Sequence, residues 1–212
     1  MPVASNRQAF YIMNKTVFNP EFQHGSITSK IVAGLERISE SFKVLLWQKA
    51  KELGLSPIQI QILIFIAYHK NELCNVSHLA KEFNITKPTI SDAIRILDKK
   101  ELITKDFSST DSRSYTILLS TAGKKIVTET ENFANPIKEQ LNSIDQYNLE
   151  NLFDTISTLI YQLNRNGILT VQRTCYGCKF YSKSTNGSYC NLLEKELLDT
   201  EIRVDCAEFI KK

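Results

Sequence analysis

The sequence predicts a mainly α-helical fold of the α+β class, in which one two-stranded β-hairpin interrupts a series of helices. Two long segments, one near each end of this series, carry apolar residues at helical spacing. Two short strand-like segments flank a polar loop between them. Four of the five cysteines lie beyond the last long helix, from Cys175 onward. These observations predict an N-terminal arm (1–25), a helical domain (26–166) and a small irregular four-cysteine extension (167–212).

The composition is that of a globular protein with a mildly basic balance. The 212 residues are 42% hydrophobic and carry a formal net charge of +3. Such a charge permits nucleic-acid binding without requiring it. The first residues do not have the pattern of a secretory signal, and no stretch approaches the ~18 apolar residues of a membrane span. We therefore expect a cytoplasmic protein that does not associate with membranes.

The first half of the domain is predicted to contain two helices that differ in burial. A long helix over 26–51 carries a one-sided apolar stripe: Ile31, Leu35, Ile38, Phe42 and Leu45. Ser56 and Pro57 then supply an N-cap and a first helical residue. The following segment, 58–68, is apolar almost all round, which indicates a central core helix.

Two short helices with a turn between them come next. The first, over 76–83, places Leu79 and Phe83 on one face, and residues 84–85 form the turn. Thr86 caps the second helix, which runs to about Lys100. Its inner face is apolar (Ile90, Ile94 and Leu97), and its outer face is polar (Lys87, Thr89, Ser91, Asp92 and Arg95).

A β-hairpin is predicted at about 102–119, with strands over 102–105 and 115–119 and a polar, turn-rich loop between them. A helix over 121–133 comes next and breaks near Asn135-Pro136. A last long helix over 145–164 has a continuous apolar stripe: Leu149, Leu152, Phe153, Ile156, Leu159, Ile160 and Leu163.

The order of short helix, turn, polar-faced helix and hairpin is that of a winged helix-turn-helix. The first short helix braces the second against the core. The second presents small hydrogen-bonding side chains and Arg95 to a major groove, where bases are distinguished by their donors and acceptors. The hairpin loop holds Arg113, which suits a phosphate or a narrow minor groove.

Three stretches resemble the multiple-antibiotic-resistance regulator (MarR) family: Asn75–Ile103 across the two short helices, Asp111-Ser-Arg113 in the hairpin loop, and Leu119-Ser-Thr-Ala-Gly123 after it. The resemblance extends over about 30–165. It implies a DNA-binding transcription regulator, expected to be a repressor and not an enzyme. A small-molecule ligand between the dimer helices and the DNA-binding domain is a further option that the resemblance allows.

The resemblance also implies which residues meet double-stranded DNA. The recognition segment is Thr86–Arg95, and Arg113 is the wing residue that contacts DNA, positioned by Asp111. The long helices, Ile31–Trp47 and Leu149–Leu163, of two subunits are expected to intertwine, which gives a homodimer on a palindromic operator. The expected contacts within the recognition segment are Thr86, Lys87, Thr89, Ser91 and Arg95.

One departure is that the recognition helix has a single arginine and the acidic Asp92. Charge-driven affinity at this helix is therefore expected to be weak. Phosphate contacts can instead come from lysines in and around it: Lys87, Lys99, Lys100 and Lys105.

The extension carries the pattern Cys-x2-Cys-x11-Cys-x15-Cys, formed by Cys175, Cys178, Cys190 and Cys206. Clustered cysteines in a cytosolic chain favour a metal site over disulfides. A Cys-x2-Cys turn presents two thiolates to one metal, and Gly177 eases the tight reversal. Two further thiolates complete a tetrahedral set. The isolated Cys74 is expected to be a buried packing thiol.

Zinc and a [4Fe-4S] cluster both remain open as the occupant. Zinc is common in four-cysteine sites, although zinc ribbons usually have two Cys-x2-Cys knuckles and this chain has one. The extension is also similar to the cluster-binding part of high-potential iron-sulfur proteins, through Cys175–Phe180, Cys190-Asn-Leu192 and Cys206-Ala-Glu-Phe209. That resemblance implies a cluster shielded by aromatic side chains: Phe180, Tyr181, Tyr189 and Phe209.

The sequence therefore supports two functions. The first is a transcription regulator whose metal centre stabilises the dimer or responds to redox state, oxygen or metal supply. The alternative is an iron-sulfur redox protein or enzyme subunit that uses the winged helix as an interaction module. Specific DNA binding distinguishes the two.

Overall fold

The computed structural model describes residues 16–108, 115–184 and 187–212. The chain divides into two compact units between Pro57 and Ile58, and each unit is described by itself. Two predicted DNA contacts, Asp111 and Arg113, lie outside the described residues. The predicted domain limits at 25 and 166 remain predictions.

The first unit contains a short helix, α1 (Pro20–Gln23), and a long helix, α2 (Ile27–Leu53). The Ser26 side chain caps α2 by accepting a hydrogen bond from the backbone N–H of Ser29. The helix ends at Gly54, whose φ of 61° is left-handed and favours glycine. The predicted long helix is confirmed. It leaves many large apolar side chains exposed: Ile27, Ile31, Val32, Leu35, Ile38, Phe42, Val44 and Trp47.

The second unit begins with the predicted core helix and the two short helices. These are α3 (Pro57–Tyr68), α4 (Val76–Glu82) and α5 (Lys87–Lys99), with a 3-10 turn over Asn71–Leu73. Because α3 is apolar on nearly all sides, it lies in the interior. The fully buried apolar side chains come from α3, α4, α5 and the hairpin: Ile60, Ile62, Leu63, Leu79, Ile90, Ile94, Leu97 and Ile117.

The hairpin is formed by β1 (Ile103–Asp106) and β2 (Thr116–Leu119), which pair antiparallel with Ile103 opposite Leu119. The backbone N–H of Ile117 donates to the Cys74 carbonyl at 2.8 Å. This bond ties the hairpin to the segment that leads into α4. The predicted helix-turn-helix with its wing is therefore present.

Three helices lie beyond the hairpin: α6 (Thr121–Thr130), α7 (Asn135–Leu141) and α8 (Gln146–Arg165). The prediction that the first of them reaches residue 133 is too long by three residues. The predicted break is present at 131–134, and a further helix that the sequence did not indicate begins at Asn135. Proline is well tolerated in a first turn because that turn's N–H groups lack helical partners.

The C-terminal extension is not irregular as predicted. It contains three short antiparallel strands in the order β3 (Tyr181–Ser184), β4 (Gly187–Cys190) and β5 (Lys195–Leu197). Two 3-10 turns, Cys175–Gly177 and Asp199–Glu201, flank the sheet. Strands this short span too few residues for alternation to be recognised in the sequence.

Among the described helices, none is by itself long and apolar enough to cross a membrane. Helices α2 and α3 have the length and composition of a membrane span only when the two are taken together.

Candidate nucleic-acid interface and cysteine cavity

Helix α5 has one buried face and one exposed face. Ile90, Ala93, Ile94 and Leu97 are buried, which fixes the orientation of the helix against the core. Each recognition residue that the sequence predicts on this helix or at its cap is exposed: Thr86, Lys87, Thr89, Ser91 and Arg95. The exposed face is therefore available to a partner.

The N-terminus of α5 is held by Thr86. Its side chain accepts from the backbone N–H of Thr89 at 3.4 Å, and the two hydroxyl oxygens are 2.8 Å apart. Both threonines thus take part in capping, and both remain exposed. Pro88 fits beside them because a first-turn proline costs no helical hydrogen bond.

The charged side chains on the exposed face of α5 make only weak contacts within the protein. The Arg95 guanidinium is 3.1 Å from Asp92, and the two side chains are 72% and 69% exposed. A pair this exposed contributes little to stability, so Arg95 can exchange Asp92 for another anion at small cost. Lys99 and Lys100 are also exposed.

Lys105 has a role in the folded protein that the sequence analysis missed. Its ammonium lies 2.6 Å from Asp98 of α5 and 5.4 Å from the ring centroid of Tyr115. These contacts tie the wing to the recognition helix. Lys105, predicted as a phosphate contact, is therefore already paired within the protein.

The contacts of the segment after the wing explain why it contains Gly123. The Ser120 hydroxyl donates to the Glu101 carbonyl at 2.6 Å and accepts from the N–H of Gly123 at 3.0 Å. A Cβ atom on Gly123 would lie 2.0 Å from the Leu102 carbonyl oxygen. Only glycine allows α6 to approach the start of the wing this closely.

The four cysteines of the extension line one cavity, together with apolar and aromatic side chains. The space that they enclose is about 30 Å³. Cys175 and Cys178 are buried, and Cys190 and Cys206 are half-buried. The predicted ligand residues are therefore close together in the fold. The main apolar members of the lining are Phe180, Tyr181, Leu192, Leu193 and Leu197.

Arg203 directs its backbone N–H and its guanidinium toward two of the sulfurs. The N–H of Arg203 donates to the Cys175 Sγ at 3.2 Å, and the Arg203 guanidinium lies 3.8 Å from the Cys206 Sγ. Burial raises the pKa of Cys175, an effect that the Arg203 N–H opposes. Within residues 16–108, 115–184 and 187–212, no group of three or more His, Cys, Asp or Glu is arranged to hold a single metal ion.

Cys74 lies apart from this cavity. Its thiol is fully buried and donates to the Lys70 carbonyl at 3.4 Å. Burial raises its pKa to about 11. These features fit the predicted packing role.

Arg173 is a further residue whose role the sequence did not indicate, and its side chain is only 10% exposed. It makes a bidentate pair with Glu82 (2.7 and 2.9 Å) and another with Asp205 (2.5 and 3.0 Å). His69 completes the group, with its Nε2 3.0 Å from Asp205 Oδ2. We call these four residues the Arg173 cluster. No sequence pattern pointed to it, because Glu82 and Asp205 are 91 and 32 positions from Arg173.

A second contact joins the extension to helix α8. The Tyr176 hydroxyl donates to Asp154 at 2.9 Å, and its ring packs edge-on against Tyr161 at 6.2 Å between centroids. Tyr176 lies between two of the cysteines, so the Cys-x2-Cys turn itself is in contact with α8.

The model of the MarR family matches residues 53–114, which run from the end of α2 to the wing loop. No curated protein matches the chain.

Solved structures resemble the chain over a larger part of its length. A Staphylococcus aureus MepR–DNA complex has a TM-score of 0.55 at 23% identity, covering 62% of this chain and 97% of MepR. MepR in its DNA-binding conformation has a TM-score of 0.56 at 23% identity, covering 63% of this chain and 98% of MepR. A MarR transcriptional regulator from Methanosarcina mazei has a TM-score of 0.54 at 20% identity, covering 62% of this chain and 94% of that regulator. The chain therefore has the winged-helix fold of MarR regulators, and residues 53–114 carry the sequence pattern of the MarR family.

Proposed function

We propose that this protein is a DNA-binding transcription regulator that acts as a homodimer on a palindromic operator. The observation that carries the proposal is helix α5, which exposes a polar face with Arg95 while its apolar face is locked into the core of a MarR-type winged helix. One similar structure is described as a MepR–DNA complex. Arg113 of the wing is proposed to contact DNA as well, with Asp111 positioning it.

Two long helices provide the evidence for the dimer, because few of their residues are buried within the chain. Helix α8 has 20 residues, and Ser157 is its one buried residue. Helix α2 has 27 residues, of which Ser29, Leu46 and Ala50 are buried. Apolar surface on this scale is unfavourable in water unless a partner covers it. A second copy of the chain, pairing through the same helices, is the proposed partner.

The DNA-binding proposal is tested with an operator selected from random double-stranded DNA. Arg95→Ala is expected to lower affinity for that operator by about 10-fold or more, since a good arginine–base contact is worth about 1–3 kcal/mol. Lys183→Ala, which removes one exposed charge from the extension, is the matched control and should leave affinity unchanged. Equal loss in both variants, or none in Arg95→Ala, would refute the assignment of α5.

We also propose that Cys175, Cys178, Cys190 and Cys206 hold one metal centre. Their common cavity supports this, and so does the small core of the extension. That core consists of Cys175, Cys178, Tyr181, Leu197 and Ile202. So few buried residues provide little folding energy, which a metal bound by four thiolates can supply.

Between the two occupants, the cavity favours a [4Fe-4S] cluster. A cluster is stabilised by apolar shielding and by N–H groups directed at sulfur. The lining and the Arg203 N–H meet both requirements. Zinc would need the four thiolates to converge at Zn–S distances of about 2.3 Å.

Purification without oxygen, with metal and sulfide analysis and a visible spectrum, decides the occupant. Iron and sulfide in equal amounts, with a brown colour, are expected for the wild type and for Cys74→Ser. They should be lost in Cys206→Ser. A colourless protein with one zinc per chain would show that the occupant is zinc. A chain without bound metal would contradict the proposed metal centre.

A further inference from the structure

The Arg173 cluster joins the cysteine extension to the helix-turn-helix. Arg173 uses Nε and both terminal nitrogens for its two carboxylate partners. Such fork-to-fork pairs fix orientation as well as distance. The guanidinium also lies 5.6 Å from the ring centroid of Phe65, against which the His69 ring stacks at 3.8 Å. Arg173 is therefore held on several sides, in a largely buried position.

On the extension side, the cluster is continuous with the cysteine cavity. Asp205 precedes Cys206, and the Cys206 N–H donates to the Arg173 carbonyl at 3.2 Å. The Cys175 N–H donates to the Arg203 carbonyl at 3.2 Å. The two chain segments that carry Cys175 and Cys206 thus run side by side, with Arg173 paired to Asp205 across them.

On the other side, the cluster ends on the helix that supports the recognition helix. Glu82 is the last residue of α4, and α4 packs directly against α5. A carboxylate at a helix C-terminus is unfavourable because it meets the negative end of the helix dipole. Arg173 offsets this charge. The Thr170 hydroxyl also donates to the Lys81 carbonyl, in the same last turn of α4.

Contacts of the extension elsewhere on the helix-turn-helix are weaker. Lys70 and Glu208 are 2.9 Å apart, but both side chains are about half exposed. An exposed pair is screened by solvent and contributes little. The bidentate pair of Arg173 with Glu82 is therefore the main polar connection between the two parts.

We propose that Arg173 is a positioning residue through which the metal centre controls DNA affinity. This inference rests on the proposed regulator with its metal centre. When the four cysteines hold metal, the segments around Cys175 and Cys206 are fixed, and Arg173 holds the end of α4. Without metal these segments loosen, α4 loses its clamp, and α5 is less well ordered for DNA. The metal-loaded form binds the operator more tightly.

The test compares operator affinity of the full chain as purified without oxygen and after the metal has been removed with ferricyanide and EDTA and the thiols have been reduced again. The ratio of the two affinities measures the coupling, which for allosteric proteins is typically about 5- to 150-fold. At least 10-fold tighter binding by the metal-loaded wild type is expected. In Glu82→Gln, which keeps the side-chain shape, the ratio should fall below about 3-fold with unchanged metal content.

Two more variants make the result specific. Arg173→Met should lose the coupling as Glu82→Gln does. Lys195→Met removes an exposed ion pair with Glu201 inside the extension, and it should keep the wild-type ratio. The inference is overturned if Glu82→Gln retains the full ratio, or if wild type binds DNA equally with and without metal. Absence of operator binding in every form would overturn the proposed function, and this inference with it.

Discussion

Gly177 lies between Cys175 and Cys178, and replacing it with alanine tests how the Cys-x2-Cys turn is held. A Cβ atom at this position would lie 2.0 Å from the Nε2 atom of Gln172. The Gln172 amide must therefore move. Its Oε1 atom now accepts from both the N–H and the hydroxyl of Thr174, each at 2.7 Å. Both hydrogen bonds are expected to break.

The cost depends on the burial of Thr174, which is fully inaccessible to solvent. Two hydrogen bonds contribute about 1 kcal/mol each, and a buried hydroxyl left without an acceptor adds roughly 1 kcal/mol or more. The total is about 3 kcal/mol, taken from the local opening free energy of the turn. Since about 1.4 kcal/mol corresponds to a factor of ten, amide exchange should become roughly 100-fold faster.

Hydrogen–deuterium exchange of the peptide covering 172–181 in the full chain measures this change. Gly25→Ala is the control, because no atom lies within 4 Å of the added Cβ. Gln172→Ala should reproduce the acceleration, and the double variant should add little to either single one. Exchange that stays within threefold of wild type in Gly177→Ala would show that the Gln172 contact does not hold the turn.

Three further predictions concern the winged helix and Cys74. Ile94→Ala should lower the free energy of unfolding by about 3 kcal/mol because the side chain is fully buried, whereas exposed Ile96→Ala should cost under about 1 kcal/mol in urea titrations. Gly123→Ala should destabilise the fold by about 2 kcal/mol or more, since its Cβ meets the backbone oxygen of Leu102, and a thermal melt equal to wild type would contradict that close approach. Cys74 should resist alkylation at pH 8 in the native protein, because its pKa of about 11 leaves little thiolate. The pKa of the Cys74 thiol is higher in the folded state than in the unfolded state. The thiol therefore favours folding below pH 9, and this contribution to stability is lost as the pH rises through about 11. Cys74→Ala should remove that part of the pH dependence of stability.

The parts of the fold that local sequence determines were predictable. Helix α5 has its cap at Thr86 and a regular apolar face, so both its start and its orientation are determined by residues a few positions apart. The type and spacing of the four cysteines likewise indicated that they lie close together. The hairpin was recognisable from the polar loop between two apolar segments.

The parts that depend on distant residues were not predictable. Arg173 owes its position to Glu82, far away in sequence, and one arginine in a loop carries no periodic signal. The strands of the extension are three or four residues long, which is too short for a pattern. The sequence does not indicate α7, because a first-turn proline such as Pro136 and a helix-ending proline differ only in whether the residues after them continue as a helix.

Two of the contacts between the extension and the rest of its unit bear on whether the two parts can be separated. Arg173 meets the carboxylate of Glu82 on α4, and Tyr176 meets that of Asp154 on α8. Cutting the chain after Arg165 would leave both carboxylates without these partners, and Glu82, whose side chain is only 17% exposed, would keep just His78 at 3.5 Å. The winged helix thus carries two carboxylates whose partners lie in the C-terminal extension. Grafting the extension onto another winged helix would require transplanting Glu82 and Asp154 along with the cysteines.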